Sequence, residues 1–406
     1  MQTWVRTLIA IVLALASFSA ISERVRDEGV TDTEIRIGNL MPYSGNLEAF
    51  GAIGKAEAAY FEVLNERGGI NGRKISFISY DDKSDPVTAL DLARGLVEKD
   101  NVLLMFGSFG TPGNFATRKY LNEMQIPQLF VASGDDHLFD PSLFPWTMGW
   151  QPSFREEGRI YANYIQASYP GRRIVALWQN DQVGREIFKG LEDGLGGVAR
   201  MIKVDIAYEV GDEHLDTHVS VLKQSGAEIF VFAGLPANAA KVIKNAARLN
   251  WHPVFILDHM ASSIATALKP AGSENAVGVI TAAFLKDTDD PAWKDERATD
   301  DWQAFVDKYS RGGGKDDGAA VFGYAAAETL VQVLKQCGND LSRQNVMKQA
   351  ATLKDYQNSA LLPGIKISTG PFNFRPIRQM RLVQFDGRTW QSIGDVVETA
   401  FSNVNN

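Results

Sequence analysis

The sequence predicts an α/β protein built from parallel β-sheets that are covered by helices on both faces. Apolar strand candidates alternate with helix candidates along most of the chain, and one of them, Val102–Phe106, is a continuous apolar run. Such runs are typical of parallel strands that are buried on both faces. The chain has 406 residues, and at about 100–200 residues per domain it is too long for one ordinary core. Because the alternation occurs twice, we expect two lobes of the same architecture.

The elements of the first half follow in order. Strands are predicted at 35–40, 74–80, 102–106 and 127–131, and a helix with apolar residues at helical spacing is predicted at 48–66. The run Asn65–Ile75 closes that helix and opens the next strand, because its three glycines supply the positive φ angles of a helix end and a tight turn. Asp85-Pro86 and Thr111-Pro112 each predict a helix start, with proline at the first helical position after an N-cap.

The segment Asp140–Pro152 holds three prolines and two tryptophans and breaks this rhythm, so we interpret it as a crossover between the lobes. A second alternating set follows it. Its strands are predicted at 174–178, 201–207, 229–233 and 254–257, and its helices at 153–168, 183–195, 215–225 and 236–249. A strand at 277–283 leads to a second predicted crossover at Phe284. Residues 291–355 are predicted to be helical, and the tail from Gly364 to form strands with a hairpin turn at Asp386-Gly387.

The first 22 residues are predicted to be a signal peptide. Arg6 supplies the positive charge, Leu8–Ala16 the short apolar run, and Ala20-Ile21-Ser22 the small residues of a cleavage site. The apolar run is shorter than the roughly 20 residues that a membrane-spanning helix needs. The one cysteine, Cys337, ends an apolar helix far from this segment, so we expect a core thiol, no disulfide and no attached lipid. An exported protein without an anchor is retained by an outer membrane, and we therefore expect a periplasmic location.

Composition and motifs argue against several classes of function. The net charge of −8 disfavours nucleic acids and anionic membrane surfaces as partners. His214 and His218 have the spacing of zinc ligands but lack the glutamate that follows the first histidine in zinc proteases. Gly54-Lys55 lacks the flanking residues of a phosphate loop, and Gly107–Gly110 lacks the first glycine of a nucleophile elbow. We therefore predict no enzyme, no metal and no cofactor.

Several short motifs together resemble one protein family. They are Tyr43-Ser44-Gly45 with Phe50-Gly51, the turn Gly68–Ile75, Tyr80-Asp81-Asp82, Phe106-Gly107-Ser108, Ile126-Pro127 and Gly323-Tyr324-Ala325-Ala326. In this order, over about 30–400, they are similar to the periplasmic branched-chain amino-acid and amide binding proteins of ABC importers, which are type I periplasmic binding proteins. The resemblance implies two doubly wound parallel-sheet lobes joined by a three-strand hinge. It implies an N-terminal lobe of residues 30–149 and 284–363, and a C-terminal lobe of residues 150–283 and 364–406.

The resemblance also implies a ligand site between the lobes, beyond the carboxyl ends of the strands, where open α/β sheets bind ligands. In the N-terminal lobe the implied residues are Tyr43, Phe50, Ser108, Phe109, Ser133 and Asp135. Phe50 resembles an aromatic residue that packs on the ligand, and Ser108 resembles a hydroxyl that holds its carboxylate. Ser133 and Asp135 resemble contacts to the carboxylate and the amino group of an amino acid.

In the C-terminal lobe, Val183 occupies the place of a tyrosine that closes over the ligand, and Leu235 lies near another aromatic contact. Asp258 or His259 falls where an acidic residue binds an ammonium group. Two residues depart from the family pattern, because Val183 cannot donate a hydrogen bond and Asp135 replaces a neutral hydroxyl. The solute class therefore stays open among amino acids, amides, and aromatic or keto carboxylic acids.

Five of these residues also have a purely structural interpretation. Ser108 and Ser133 are residue types that satisfy backbone groups at helix starts. Phe50 is suited to core packing, Tyr43 to filling the crossover region, and Asp135 to a solvated loop. The sequence alone leaves both interpretations open.

The sequence thus predicts a periplasmic protein that captures a small organic solute in an interlobe cleft and delivers it to the permease subunits of an ABC importer in the inner membrane. The solute stabilises the closed form of a hinge through its differential affinity. We expect a monomer whose partners are the solute and those permease subunits. A periplasmic sensor that feeds a signalling partner stays open as an alternative. A secreted hydrolase would need an activated serine, and no sequence motif indicates one.

Overall fold

The structure, a computed structural model, describes residues 27–295, 300–312 and 318–398. The predicted signal peptide at 1–22 lies outside these residues. Five parallel strands form the first sheet, in the spatial order β2-β1-β3-β4-β5. They are β1 (Glu34–Met41), β2 (Lys74–Asp81), β3 (Leu104–Phe106), β4 (Gln128–Val131) and β5 (Thr147–Gly149). The parallel sheet of the first half is therefore confirmed.

Three helices connect these strands, namely α1 (Gly51–Glu66), α2 (Pro86–Glu98) and α3 (Thr111–Glu123). The predicted cap at Asp85 is confirmed, since its carboxylate accepts from Thr88 N at 2.7 Å. The predicted cap at Thr111 is wrong by one residue. Gly110 caps α3, with a φ of 91° that glycine adopts without strain, and Thr111 is the first helical residue. The Thr111 side chain is thereby free to bond elsewhere.

The segment Asp140–Pro152 is more than a crossover, because β5 within it adds a fifth strand to the first sheet. Its Trp150 is fully buried, and its indole N–H donates to Thr329 Oγ1 at 3.1 Å. The prolines and tryptophans around three strand residues leave no strand pattern in the sequence. The chain leaves this lobe after Trp150.

Seven strands form the second sheet, in the order β12-β11-β10-β9-β8-β6-β7. They are β6 (Ile174–Gln179), β7 (Ile202–Tyr208), β8 (Ile229–Ala233), β9 (Val254–Leu257), β10 (Ile280–Ala283), β11 (Gln379–Phe385) and β12 (Trp390–Glu398). The helices between these strands are α4 (Phe154–Ser168), which precedes β6, α5 (Gln182–Leu195), α6 (Leu215–Gln224) and α7 (Pro236–Arg248). The hairpin of β11 and β12 is antiparallel and turns at Asp386-Gly387 as predicted. Strand β10 begins three residues later than predicted, because Gly278 has a φ of 89° and Val277 is exposed.

Helices α8 (Asp300–Arg311), α9 (Gly318–Cys337) and α10 (Arg343–Ala350) return to the first lobe. Helix α9 packs closely on α1, since a Cβ on Gly323 would lie 2.6 Å from the Ala56 Cβ and from the Ile53 carbonyl oxygen. Cys337, at the end of α9, is buried as predicted. The predicted lobe boundaries, at 149/150, 283/284 and 363/364, stay a prediction. Among the described residues, no helix is both long enough and apolar enough to span a membrane.

The chain passes between the sheets three times, after β5, after β10 and before β11. The passing segments bond to one another. Gly149 N donates to the Phe374 carbonyl at 3.1 Å, and Leu362 N donates to the Phe284 carbonyl at 2.9 Å. The predicted second crossover at Phe284 is confirmed by this arrangement. Three adjacent crossing segments form the hinge between two doubly wound lobes.

Candidate functional site

All ten predicted site residues lie in the connections that follow the carboxyl ends of parallel strands. Tyr43 and Phe50 follow β1, Ser108 and Phe109 follow β3, Ser133 and Asp135 follow β4, Val183 follows β6, Leu235 follows β8, and Asp258 and His259 follow β9. This is the edge at which parallel α/β sheets bind ligands. The placement agrees with the prediction, and the individual binding roles stay predictions.

An aromatic pair lies at this edge of the first sheet. The rings of Phe50 and Phe109 stack with centroids 4.6 Å apart and planes 17° from parallel. Both side chains are half-buried, so the pair offers an apolar surface beside the strand ends. Tyr43 serves the lobe itself, because its hydroxyl is bonded to Ser79 Oγ at 2.6 Å. Burial, more than any other cause, raises the pKa of Tyr43 to about 12.

The two predicted serines are buried, and each already has a partner. Ser108 Oγ accepts from Leu40 N at 3.2 Å, and Ser133 Oγ lies 2.8 Å from Thr111 Oγ1 and accepts from Asp135 N at 3.2 Å. Thr111 was not among the predicted site residues, because the sequence pattern assigns it to the N-cap of α3. The Ser133 and Thr111 hydroxyls meet at the first turn of α3 and form a corner that is suited to a carboxylate.

Asp135 and Asp136 lie behind this corner, in a short turn that contains His137. One oxygen of Asp135 accepts from the backbone and ring nitrogens of His137, both at 2.9 Å, while its Oδ2 is buried without a hydrogen-bond partner among the described residues. The prediction of a solvated loop for Asp135 is therefore wrong, since the side chain is fully buried. Asp136 accepts from Ser153 Oγ at 2.8 Å, and Arg375 Nε lies 3.0 Å from its other oxygen. This loop is thus tied to two of the crossing segments.

In the second lobe, Val183 packs with an apolar cluster of Phe154, Ile187 and Ala233. Leu235 occupies the N-cap position of α7 in extended conformation and offers no side-chain cap. Both residues are half-buried and apolar. Their side chains offer an apolar surface at this edge of the second sheet and no hydrogen-bonding group.

The carboxylate of Asp258 is bonded to the backbone of two loops. Its carboxylate accepts from Met260 N at 2.9 Å, Ala261 N at 3.1 Å and Gly234 N at 2.7 Å, and the residue is fully buried. Burial, together with repulsion from Glu157, raises the pKa of Asp258 to about 7. The oxygens of Asp258 thus satisfy backbone N–H groups of two loops, and a ligand-binding role for this residue stays a prediction.

His259 is held from below by Glu157, a buried residue of α4. The Glu157 carboxylate lies 2.6 Å from the ring Nδ1 and accepts from His259 N at 2.7 Å and from Tyr161 OH at 2.5 Å. Glu157 was not among the predicted site residues. It lies 102 positions before His259, and a glutamate in a helix carries no sequence signal of its own. No sequence signal links them.

Phe154 joins the two halves of the site. Its ring lies 6.2 Å from that of His259 at an interplanar angle of 24°, and its backbone N donates to the Gly134 carbonyl at 3.0 Å. The loops after β4 and β9 therefore meet on one residue. Among the described residues, no hydrogen bond or ring contact joins the predicted site residues of one lobe directly to those of the other. The cap pattern from Ser153 to Glu156 marks the start of α4 in the sequence and was the signal available for Phe154.

The described residues hold no cluster of three or more His, Cys, Asp or Glu arranged for a metal ion. His218, singled out for its spacing from His214, has its Nε2 2.9 Å from Asp212 Oδ2.

Comparison with known proteins identifies the family. A family model described as periplasmic binding protein matches residues 34–389. An amino acid binding protein of Pseudomonas aeruginosa is 23% identical over 318 residues, which are 75% of this chain and 79% of that protein.

Solved structures show the same fold. The branched-chain amino acid ABC transporter protein from Thermus thermophilus with bound valine is 17% identical, with a TM-score of 0.77 over 91% of this chain and 98% of that chain. A solute-binding protein of an ABC transporter from R. palustris in complex with benzoate is 20% identical, with a TM-score of 0.72 over 91% of this chain and 98% of that chain.

This family and fold comprise extracytoplasmic solute-binding proteins, so the prediction that the chain is not an enzyme is confirmed. The predicted type I fold, with two parallel-sheet lobes and a hinge, is confirmed as well. The chain belongs to the periplasmic binding protein family.

Proposed function

We propose that this protein captures a small organic acid in the cleft between its lobes and delivers it to the permease subunits of an ABC importer in the inner membrane. The observation that carries the proposal is the meeting of the loops after β4 and β9 on Phe154. Because the carboxyl ends of both sheets converge there, a solute between them contacts both lobes and favours the closed form.

The chemistry of the walls supports an acid with an apolar body. The hydroxyls of Ser133 and Thr111 meet at the start of α3, where the helix dipole favours a carboxylate, and the Ser108 hydroxyl is bonded to Leu40 N of β1 nearby in the same sheet. The Phe50–Phe109 pair and Val183 offer apolar surface. The similar proteins are described with an amino acid, valine and benzoate, which are all carboxylates with apolar or partly apolar bodies.

A thermal-shift screen of the purified protein tests capture. The panel holds aliphatic and aromatic amino acids, their amides, benzoate, and keto acids. A solute at ~100 times its dissociation constant stabilises the folded state by about 2.7 kcal/mol, which gives a readable shift in Tm. No shift with any carboxylate would contradict the proposal.

Delivery is tested separately, in cells that lack this chain. Uptake of the radiolabelled solute identified by the screen should fall to the background level and return when the chain is restored. Unchanged uptake, with solute binding intact, would contradict delivery and favour the sensing alternative.

A further inference from the structure

Three carboxylates at or beside the strand ends of the second lobe, those of Asp181, Asp258 and Glu157, are engaged within the protein. Asp181, after β6, accepts from Gly184 N at 2.9 Å through one oxygen and from Gln179 Nε2 at 2.5 Å through the other. Asp258 accepts three backbone N–H groups, and both oxygens of Glu157 accept from His259. A solute ammonium group that reached this wall would find no carboxylate oxygen without a partner among these three residues.

His259 differs from these residues, because one of its polar atoms has no partner. Its Nδ1 lies 2.6 Å from Glu157 Oε2, whereas Nε2, on the far side of the ring, has no hydrogen-bond partner among the described residues. The ring lies on Phe154 and edge-on to Phe284, with centroids 5.4 Å apart in the second contact. Since Nδ1 faces the fully buried Glu157, Nε2 lies on the opposite side of the ring from that carboxylate.

The charges around this ring favour an imidazolium. The Glu157 carboxylate of α4 contacts it directly, and Asp258 precedes it in the same loop. Tyr161 is the other titratable group of this cluster, and its hydroxyl donates to Glu157 rather than competing for the ring. Burial alone would lower the pKa of His259, but Glu157, supported by Asp258, raises it above the usual value. A protonated ring has an N–H donor at Nε2 as well as at Nδ1.

We propose that His259 is the specificity-determining cation of the second lobe, and that its Nε2–H donates to an oxygen of the solute. The solute class that fits is a carboxylic acid with an oxygen acceptor, such as a 2-oxo acid, in place of an α-ammonium group. A solute ammonium group would lie against the protonated His259 ring. Its N–H and the Nε2–H of the ring would then be two donors facing each other without an acceptor, which costs free energy in a site shielded from water. This inference rests on the proposed function and narrows its solute class.

Matched pairs of solutes test the inference by titration calorimetry at pH 7. Phenylpyruvate is compared with phenylalanine, and 4-methyl-2-oxopentanoate with leucine, because each pair differs only at the α-substituent. The oxo acids should bind at least about tenfold more tightly. His259→Gln should weaken oxo-acid binding by a similar factor and narrow the difference within each pair. His252→Gln, at an exposed histidine, is the control and should change neither.

A second measurement does not depend on the variant folding well. Nitrogen NMR of the histidine-labelled wild-type protein should show the ring of His259 with both nitrogens protonated at pH 7 and perturbed by the oxo acid. A neutral ring at position 259 would overturn the inference. Tighter binding of the amino acids would also overturn it, leave the proposed function standing, and assign the ammonium group to Asp135 Oδ2. Binding of neither member of either pair would overturn the inference and the proposed capture of these acids together.

Discussion

The backbone N of Phe154 donates to the carbonyl oxygen of Gly134 at 3.0 Å, and this bond ties the start of α4 to the loop after β4. There is no space for a side chain at Gly134. A Cβ there would lie 2.5 Å from the Pro152 carbonyl oxygen and 2.9 Å from Cδ1 of Phe154. The close approach of the lobes at the hinge therefore depends on a glycine.

Gly134→Ala should destabilise the protein by about 1–3 kcal/mol, because the added methyl group forces the crossing segment away from the loop. Urea unfolding measures the change. Gly95→Ala is the matched control, since Gly95 lies inside α2 with no neighbouring atom within 4 Å of its Cβ position, and it should be neutral or stabilising by up to ~1 kcal/mol. Equal stability of Gly134→Ala and wild type would contradict this prediction, because it would show that the contact between Gly134 and the crossing segment accommodates a methyl group.

Phe109→Ala should weaken binding of the screened solute by at least about fivefold, because truncation of a buried aromatic contact commonly costs more than 1 kcal/mol. Titration calorimetry gives the affinity. Phe372→Ala removes a ring that is 89% exposed and should leave the affinity unchanged. If Phe109→Ala binds as well as wild type, the Phe50–Phe109 stack is only packing.

Ser133→Ala should lower solute affinity by about 1–3 kcal/mol if this buried hydroxyl faces the carboxylate. The same change removes the partner of Thr111 Oγ1, so unfolding must be measured alongside binding. Ser142→Ala, at an exposed serine that precedes β5, controls for loss of a hydroxyl and should not alter affinity. A loss of stability without a loss of affinity would remove Ser133 from the site.

Glu57 makes the stability of the folded protein depend on pH, and this dependence can be measured without a ligand. It is fully buried beneath the strand ends, accepts from Asn39 Nδ2 at 3.2 Å, and has its Oε1 without a hydrogen-bond partner among the described residues. Burial raises its pKa well above the usual value, so the folded protein holds this group neutral at pH values where the unfolded chain ionises it.

Because the folded-state pKa is the higher one, the stability contributed by this proton is complete below a pH of about 4 and is lost as the pH rises through the folded-state pKa. Glu57→Gln keeps a neutral side chain of the same shape, so wild type should lose stability relative to this variant as the pH rises above about 5. Glu62→Gln, on the exposed face of the same helix, should show no such divergence. Parallel curves for wild type and Glu57→Gln would contradict a neutral Glu57.

The sequence predicted the strands and helices well where burial gives a strong pattern. Strands β8 and β9 were predicted at their observed bounds, because parallel strands covered on both faces are continuous apolar runs. Strand β5 was missed, since three residues between prolines and tryptophans carry no period of two. Its pairing is decided by tertiary contact with β4.

The candidate site was predicted in its position more than in its chemistry. Strand ends can be located from local patterns, which is why all ten residues lie at the correct edge. The chemistry depends on partners distant in the chain. The Asp258 carboxylate accepts from Gly234 N, 24 residues earlier, and the His259 ring is bonded to the Glu157 carboxylate. Such pairings follow from the fold and cannot be deduced from residue type at one position.

The packing of α9 on α1 also sets an order for making the molecule. Helix α1 precedes every strand of the second sheet, whereas α9 follows β10. During synthesis, strands β6 to β10 leave the ribosome in one stretch while the first lobe still lacks the helix that covers it. That lobe depends on contacts distant in sequence, which slow folding. The apolar face of α1 therefore stays uncovered until Gly318–Cys337 has been made, and this interval is when the nascent chain most needs protection from aggregation.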